Sequence, residues 1–306
     1  MRSILLAASQ NAWLRERAGR YKFVRRSVSR FMPGEEADDA LNAAKTLAEK
    51  QIGAVLSHLG ENISNAQEAE DSTRHYLMVL GKIRASSMQT ELSVKLTQLG
   101  LDQSVDLCIE NLRRILREEQ SDRGVWIDME ASSYVDATLR VYRRALAEFP
   151  KTGICLQAYL FRSKNDLEAL LPLKASVRLV KGAYKEAPEV AYPAKKDVDE
   201  NFFCLAQTII RAQAEGRLGR AIFGTHDTGL IRRLAEFAAN EGMSKQAIEI
   251  QMLYGIQRAE LERLATEGYR AAAFICYGHS WYPWFIRRLA ERPANLWFVA
   301  KNVFAR

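Results

Sequence analysis

Polar and charged side chains recur at the ends of short apolar runs along this chain. Lys95 closes the run through Ser93 and Val94, and Asp128, followed by Met129 and Glu130, closes a third run. Gln157 sits in a fourth run with Arg162 just beyond it, and Arg178 and Lys181 sit in a fifth, ahead of Gly182, Ala183 and Tyr184. The sixth leads into Gly224, Thr225, His226 and Asp227. The seventh reads from Glu249 through Gln251 and Leu253 to Gly255, and the eighth ends at Tyr277 and Gly278. A lysine or aspartate inside an apolar strand is costly to bury unpaired. Each is therefore either half of a structural ion pair or a group aimed at a ligand. Taken together they describe a basic, hydrogen-bonding pocket suited to an anionic ligand.

A second cluster follows the eighth run, from Trp281 to Pro293. Its pattern predicts a short helix, with Pro283 tolerated in the first turn and Pro293 ending it. Arg287 and Arg288 are neighbours on it, with Glu291 three and four positions later. Two adjacent guanidinium groups can clamp one carboxylate, and the glutamate is spaced to orient them. A charged outer face is the alternative for a bare Arg-Arg pair, but the aromatic residues around this one argue against full exposure.

These residues need a frame. Short β-prone runs are predicted at 53–59, 90–95, 124–128, 153–160, 176–181, 220–224, 247–251 and 270–276. Between them lie amphipathic, helix-length segments such as 105–119, 134–149, 202–214, 230–239 and 258–267. Strands alternating with helices indicate parallel βαβ units, and eight strands close a barrel. In a barrel the carboxyl ends of the strands converge on one mouth, where the polar residues above would meet. A doubly wound open sheet is the competing layout, weakened by the lack of a GxGxxG after an early strand. The irregular spacing excludes a solenoid. The expected organisation is an N-terminal helical segment, 1–50, followed by one barrel, 51–306.

Composition fits a globular chain: 306 residues, 48% hydrophobic and 26% charged. The net charge of +7 is spread thinly. Its densest stretch, 15–30, reads as a solvated helix face or as a segment that could lie on an anionic membrane. No nucleic-acid motif or aromatic-interleaved basic groove accompanies it. The four cysteines have no metal-binding spacing and suggest reduced, mostly buried thiols in a cytoplasmic protein. No apolar run approaches the roughly 20 residues of a spanning helix.

The run from Arg178 to Tyr184, the Gln251–Gly255 run and the 281–295 segment resemble the proline dehydrogenase family in its single-function bacterial form. The order of Ser93-Val-Lys, Asp128-Met-Glu, Leu156-Gln-Ala-Tyr and Thr225-His-Asp also follows that family. The resemblance covers about 53–302. It implies a distorted (β/α)8 TIM-type barrel that binds FAD non-covalently at its mouth, with a C-terminal helix capping the substrate. The implied reaction is oxidation of L-proline to pyrroline-5-carboxylate by hydride transfer to the flavin, with a membrane quinone as electron acceptor. The basic N-terminal helix would allow peripheral contact with the membrane.

By the matching positions, Arg287, Arg288 and Lys95 would meet the substrate carboxylate, with Glu291 as the arginines' partner. Asp128, Tyr184, Leu253 and Phe274 would shape the pocket around the ring. Arg178 would approach the flavin, and Gln157, Lys181, Gly182, Ala183, Thr225 and His226 would hold the cofactor. The family usually carries tyrosine where this chain has Phe274, and proline where it has Cys276. Phe274 keeps the bulk and loses the hydroxyl. That departure leaves open a related flavin barrel acting on another cyclic imino acid, such as a substituted proline. No general base for the substrate nitrogen stands out among these residues, and water and Asp128 are the two candidates. A non-enzymatic binding protein is the remaining alternative.

Overall fold

A computed structural model describes residues 28–60, 63–86, 88–119 and 124–291. Helix α1 (Ala37–Ala48) comes first, followed by β1 (Gly53–His58), α2 (Ala66–Ser86), β2 (Thr90–Val94), α3 (Val105–Glu118) and β3 (Val125–Ile127). Then come α4 (Val135–Glu148), β4 (Gly153–Gln157), α5 (Ser163–Leu170), β5 (Ser176–Val180), α6 (Lys195–Ala214) and β6 (Ala221–Gly224). Last are α7 (Thr228–Asn240), β7 (Glu249–Leu253), α8 (Arg258–Thr266), β8 (Arg270–Tyr277) and α9 (Trp281–Glu291).

The eight strands form a closed parallel barrel in sequence order, the (β/α)8 architecture expected from the alternation. Closure is made by β1 on β8, in register from Gly53 opposite Ala272 to His58 opposite Tyr277. Helices cover the outside and side chains fill the inside, so strands such as β2 and β4 are buried along their whole length. Each helix sets an apolar stripe against the strands; α3, for example, buries Cys108, Ile109, Leu112, Ile115 and Leu116. Ser104 starts that helix by accepting from the Asp106 and Leu107 amides, satisfying donors that have no partner inside the helix.

A second, smaller core lies at the barrel mouth. Val28, Phe31 and Met32 pack there with Leu59, Cys276 and the α9 residues Trp281, Tyr282, Trp284 and Phe285. Phe31 and Phe285 meet at 6.2 Å between ring centroids.

Several boundaries differ from the sequence reading. Strand β4 ends at Gln157, and Leu160 instead bridges to Ala191. Strand β7 runs two residues later than expected, so Gln251 lies within it and Leu253 ends it. Helix α6 begins at Lys195, about two turns before the predicted start. Helices α2 and α5 were not among the segments singled out. Three of the cysteines are buried, and Cys204 is exposed. Most of the basic 15–30 stretch lies outside the described residues. No helix among the described residues is long and apolar enough to cross a membrane.

Candidate functional site

Strand alternation decides which side chains enter the barrel, because residues two apart share a face. Cys155 and Gln157 on β4, Arg178 and Val180 on β5, Gln251 and Leu253 on β7, and Phe274 and Cys276 on β8 all line one cavity. Its volume is about 380 Å³. The loops beyond the strands complete it with Lys95, Asp128, Lys181, Gly182, Ala183, Tyr184, Thr225, His226 and Asp227. Trp284 of α9 also faces it.

The residues to which the family resemblance gave site roles, where their side chains are described, all line the same cavity. Arg287, Arg288 and Glu291 belong to the final turns of α9, and their side chains lie outside the described part. Arg162 does not join the cavity; it pairs with Asp136 and Asp166.

Asp128 is the hub. It follows β3 directly, buried at the mouth. Its carboxylate accepts from Ser93 Oγ at 2.6 Å, from Lys95 Nζ at 2.7 Å, from Ser57 Oγ at 3.4 Å and from Arg178 Nη2. Burial pushes the Asp128 carboxyl up, but the Lys95 and Arg178 charges and the Lys95 and Ser93 hydrogen bonds outweigh it and hold it below the usual range. The guanidinium of Arg178 is clasped by aromatic faces, 4.9 Å from the Phe274 ring and 5.5 Å from that of Trp126.

A second charged group sits on the other side of the mouth. Lys181 Nζ meets Asp199 at 2.5 Å and Asp227 at 3.1 Å, and Lys195 lies 3.7 Å from Asp227. Burial raises the Asp227 carboxyl, but hydrogen bonding and attraction to Lys181 prevail, so it lies below its ordinary value. Asp227 also caps α7, accepting from the Leu230 amide. His226 Nε2 accepts from the Leu253 amide at 2.8 Å, which requires that nitrogen to carry no proton. The early start of α6 is what brings Lys195 and Asp199 here.

Lys95, Asp128, Arg178, Lys181 and Asp227 are thus both ion-paired and cavity-lining; the two readings were not exclusive. Sequence reasoning did not single out Trp126, Lys195, Asp199 or Trp284 as site residues. Trp126 had a usable signal, since it stands two before Asp128 and shares its face.

The cavity passes a simple test for a flavin. Among the described residues, Gln157 Oε1, Arg178 Nη1 and Gln251 Oε1 are buried without hydrogen-bond partners, although all three side chains line it. Orphaned buried polar atoms are rare unless a ligand or water satisfies them. Acceptors and a cationic donor around an otherwise largely apolar cavity suit a flat heteroaromatic ring with its own donors and acceptors.

Comparison with known proteins gives the same direction. A sequence model of the family described as Proline dehydrogenase matches residues 40–301. Proline dehydrogenase 1 of Bacillus subtilis subsp. natto is 37% identical over 304 residues, covering 99% of both chains. The proline dehydrogenase of Deinococcus radiodurans is 35% identical over 282 residues, covering 90% of this chain and 89% of its own. Among solved structures, proline utilization A from Bdellovibrio bacteriovorus, inactivated by N-propargylglycine, superposes with a TM-score of 0.81 at 26% identity. That match covers 92% of this chain and 34% of the larger one, so this chain spans about a third of that protein. A closed barrel with a buried Lys–Asp–Arg cluster at its mouth, and full-length matches at these identities, lead to one assignment: the chain belongs to the proline dehydrogenase family.

Proposed function

We propose that this protein binds FAD in the barrel mouth and oxidises L-proline to pyrroline-5-carboxylate, passing electrons to a membrane quinone. The observation that carries the reading is the Lys95–Asp128–Arg178 cluster in one cavity with Arg178 Nη1, Gln157 Oε1 and Gln251 Oε1, which have no hydrogen-bond partner among the described residues. When bound, the flavin supplies the two-electron acceptor. Gln157, Arg178, Lys181, Gly182, Ala183, Thr225 and His226 would hold it.

The chain's own groups would do the rest. Arg287 and Arg288, oriented by Glu291, would grip the substrate carboxylate, with Lys95 adding positive charge. Asp128 fixes Lys95 and Arg178 in place, and Phe274, Leu253 and Tyr184 would pack around the pyrrolidine ring. A fixed carboxylate anchor sets how the ring carbon beside nitrogen is presented. The substrate ammonium must lose a proton first, and cationic surroundings favour its neutral form. Asp128 is a poor base for this, because four protein donors already occupy its oxygens. The proton is best assigned to water.

Within this reading 51–306 form the catalytic unit and 1–50 an N-terminal helical segment. The basic part of that segment would touch the cytoplasmic face of the membrane. A substituted proline is the second candidate substrate, favoured by Phe274, which offers ring bulk without a hydroxyl.

The purified protein should be yellow, release FAD on denaturation and bleach anaerobically with L-proline. Bleaching only by a different imino acid would transfer the assignment to that substrate. Arg288→Met should raise KM for proline steeply while flavin stays bound. A colourless protein unable to take up FAD would overturn the proposal.

A further inference from the structure

The hydrogen bonds of Arg178 leave its orientation under-determined. Nη2 donates to Asp128 and to Ser93 Oγ at 2.8 Å, while Nη1 is buried with no hydrogen-bond partner among the described residues. Bonds to one nitrogen fix a point; the planar group can still swing about it. The groups placed to limit that swing are two aromatic rings, with Arg178 Cζ over Phe274 at 4.9 Å and over Trp126 at 5.5 Å from the ring centroids. Phe274 lines the cavity, whereas Trp126 lies beneath it and is 1% exposed.

Trp126 is itself held in three ways. Its Nε1 donates to Glu91 at 2.9 Å. Glu91 is bonded to Arg220, which also reaches Glu249 at 2.6 Å and lies 5.6 Å from the Trp126 ring. Gly153, the register partner of Trp126 on β4, leaves the indole its room: a Cβ there would lie 2.4 Å from Trp126 Cε3.

We propose that Trp126 is the positioning residue for Arg178, its indole face setting the guanidinium plane and so the direction in which Nη1 presents charge and hydrogens to the cavity. The inference rests on the reading of Arg178 as the cationic group beside the flavin. A positive charge close to the cofactor tunes its electronics, favouring the reduced, more negative form.

The test uses the full-length flavoprotein and measures the flavin midpoint potential by reductive titration, together with kcat and KM. Trp126→Leu should lower the potential in the same direction as Arg178→Met, which removes the charge. The rate of flavin reduction should fall about tenfold, as expected for a misplaced group, with KM nearly unchanged. Trp126→Phe, which retains a flat ring, should stay near the parent in both. If Arg178→Met moves the potential and both Trp126 variants match the parent, or if Leu and Phe behave alike, the positioning role is overturned. If Arg178→Met itself leaves the potential unmoved, the placement of Arg178 beside the flavin fails, and this inference with it. Should Trp126→Leu not fold, Gly153→Ala displaces the indole without removing it. It should lower the potential likewise, and an unchanged value would count against the proposal.

Discussion

Lys95 Nζ donates to Asp128 Oδ2 across 2.7 Å, and the two residues stand one place beyond the paired positions Val94 and Ile127 on adjacent strands. The ion pair is therefore set by barrel register rather than by loop conformation. With Arg178 as a second cation on the same carboxylate, Asp128 holds together a cluster whose members come from three strands or their ends.

Asp128→Asn should be costly for that reason. It leaves two close cations without their counter-charge, and breaking a buried pair typically costs about 3–5 kcal/mol. Urea unfolding at neutral pH measures it, and a loss below about 1 kcal/mol would show that the pair is dispensable. The Asp128 carboxyl is held below its ordinary value when folded. Its contribution is therefore complete above about pH 4 and disappears as pH falls through the lower folded-state value. The asparagine variant should lose that part of the acid dependence.

Phe274→Tyr restores the hydroxyl that the family usually carries at this position. The ring contact with Arg178 should persist, since only the para substituent changes. A recovered hydrogen bond to substrate would tighten proline binding by about 0.5–1.5 kcal/mol, or roughly two- to tenfold in KM. An unchanged KM would mean that the hydroxyl does not reach the substrate.

A separate acid sensitivity arises outside the cavity. His58 stacks on His75 at 4.2 Å, and His75 Nε2 lies 2.9 Å from the Tyr277 hydroxyl. Burial first, then the charge of His75, pulls the His58 value down to about 4. The unfolded chain takes up this proton near pH 6.5, so stability should decline from about pH 6.5 down to the folded value, by about 2 kcal/mol at pH 5. His58→Phe should reduce the difference in urea midpoint between pH 7 and pH 5. An equal difference in both proteins would locate the sensitivity elsewhere.

Gly182→Ala tests the loop proposed to hold the cofactor. Gly182 has φ +109°, and a Cβ there would lie 2.2 Å from the Tyr159 ring. Backbone strain alone should cost about 1–3 kcal/mol, and Tyr159, tied through its hydroxyl to Glu186 at 3.3 Å, has little freedom to withdraw. The flavin-to-protein ratio after purification should fall along with the melting temperature. Full flavin loading at unchanged stability would show that the loop can shift without consequence.

The order of elements could be read from the chain because periodicity is local: Val105–Glu118 shows its apolar stripe within four turns, and each strand is a short apolar run. The strand-end residues Lys95, Asp128, Gln157, Arg178 and Leu253 followed from that order, since a parallel barrel must gather carboxyl ends at one mouth. Helix α2 was harder to see, because polar residues such as Thr73 interrupt its pattern and are satisfied internally, here by the Ala69 carbonyl at 2.8 Å. The two-residue shift of β7 reflects hydrogen-bonded register with β6 and β8, which a single segment does not encode. Tertiary structure alone decided the pairings: that Asp128 is shared by Lys95 and Arg178, that Lys181 goes to Asp199 and Asp227, and that Trp126 supports the Arg178 guanidinium. These contacts join residues far apart in sequence, and only closure of the barrel brings them within reach of one another.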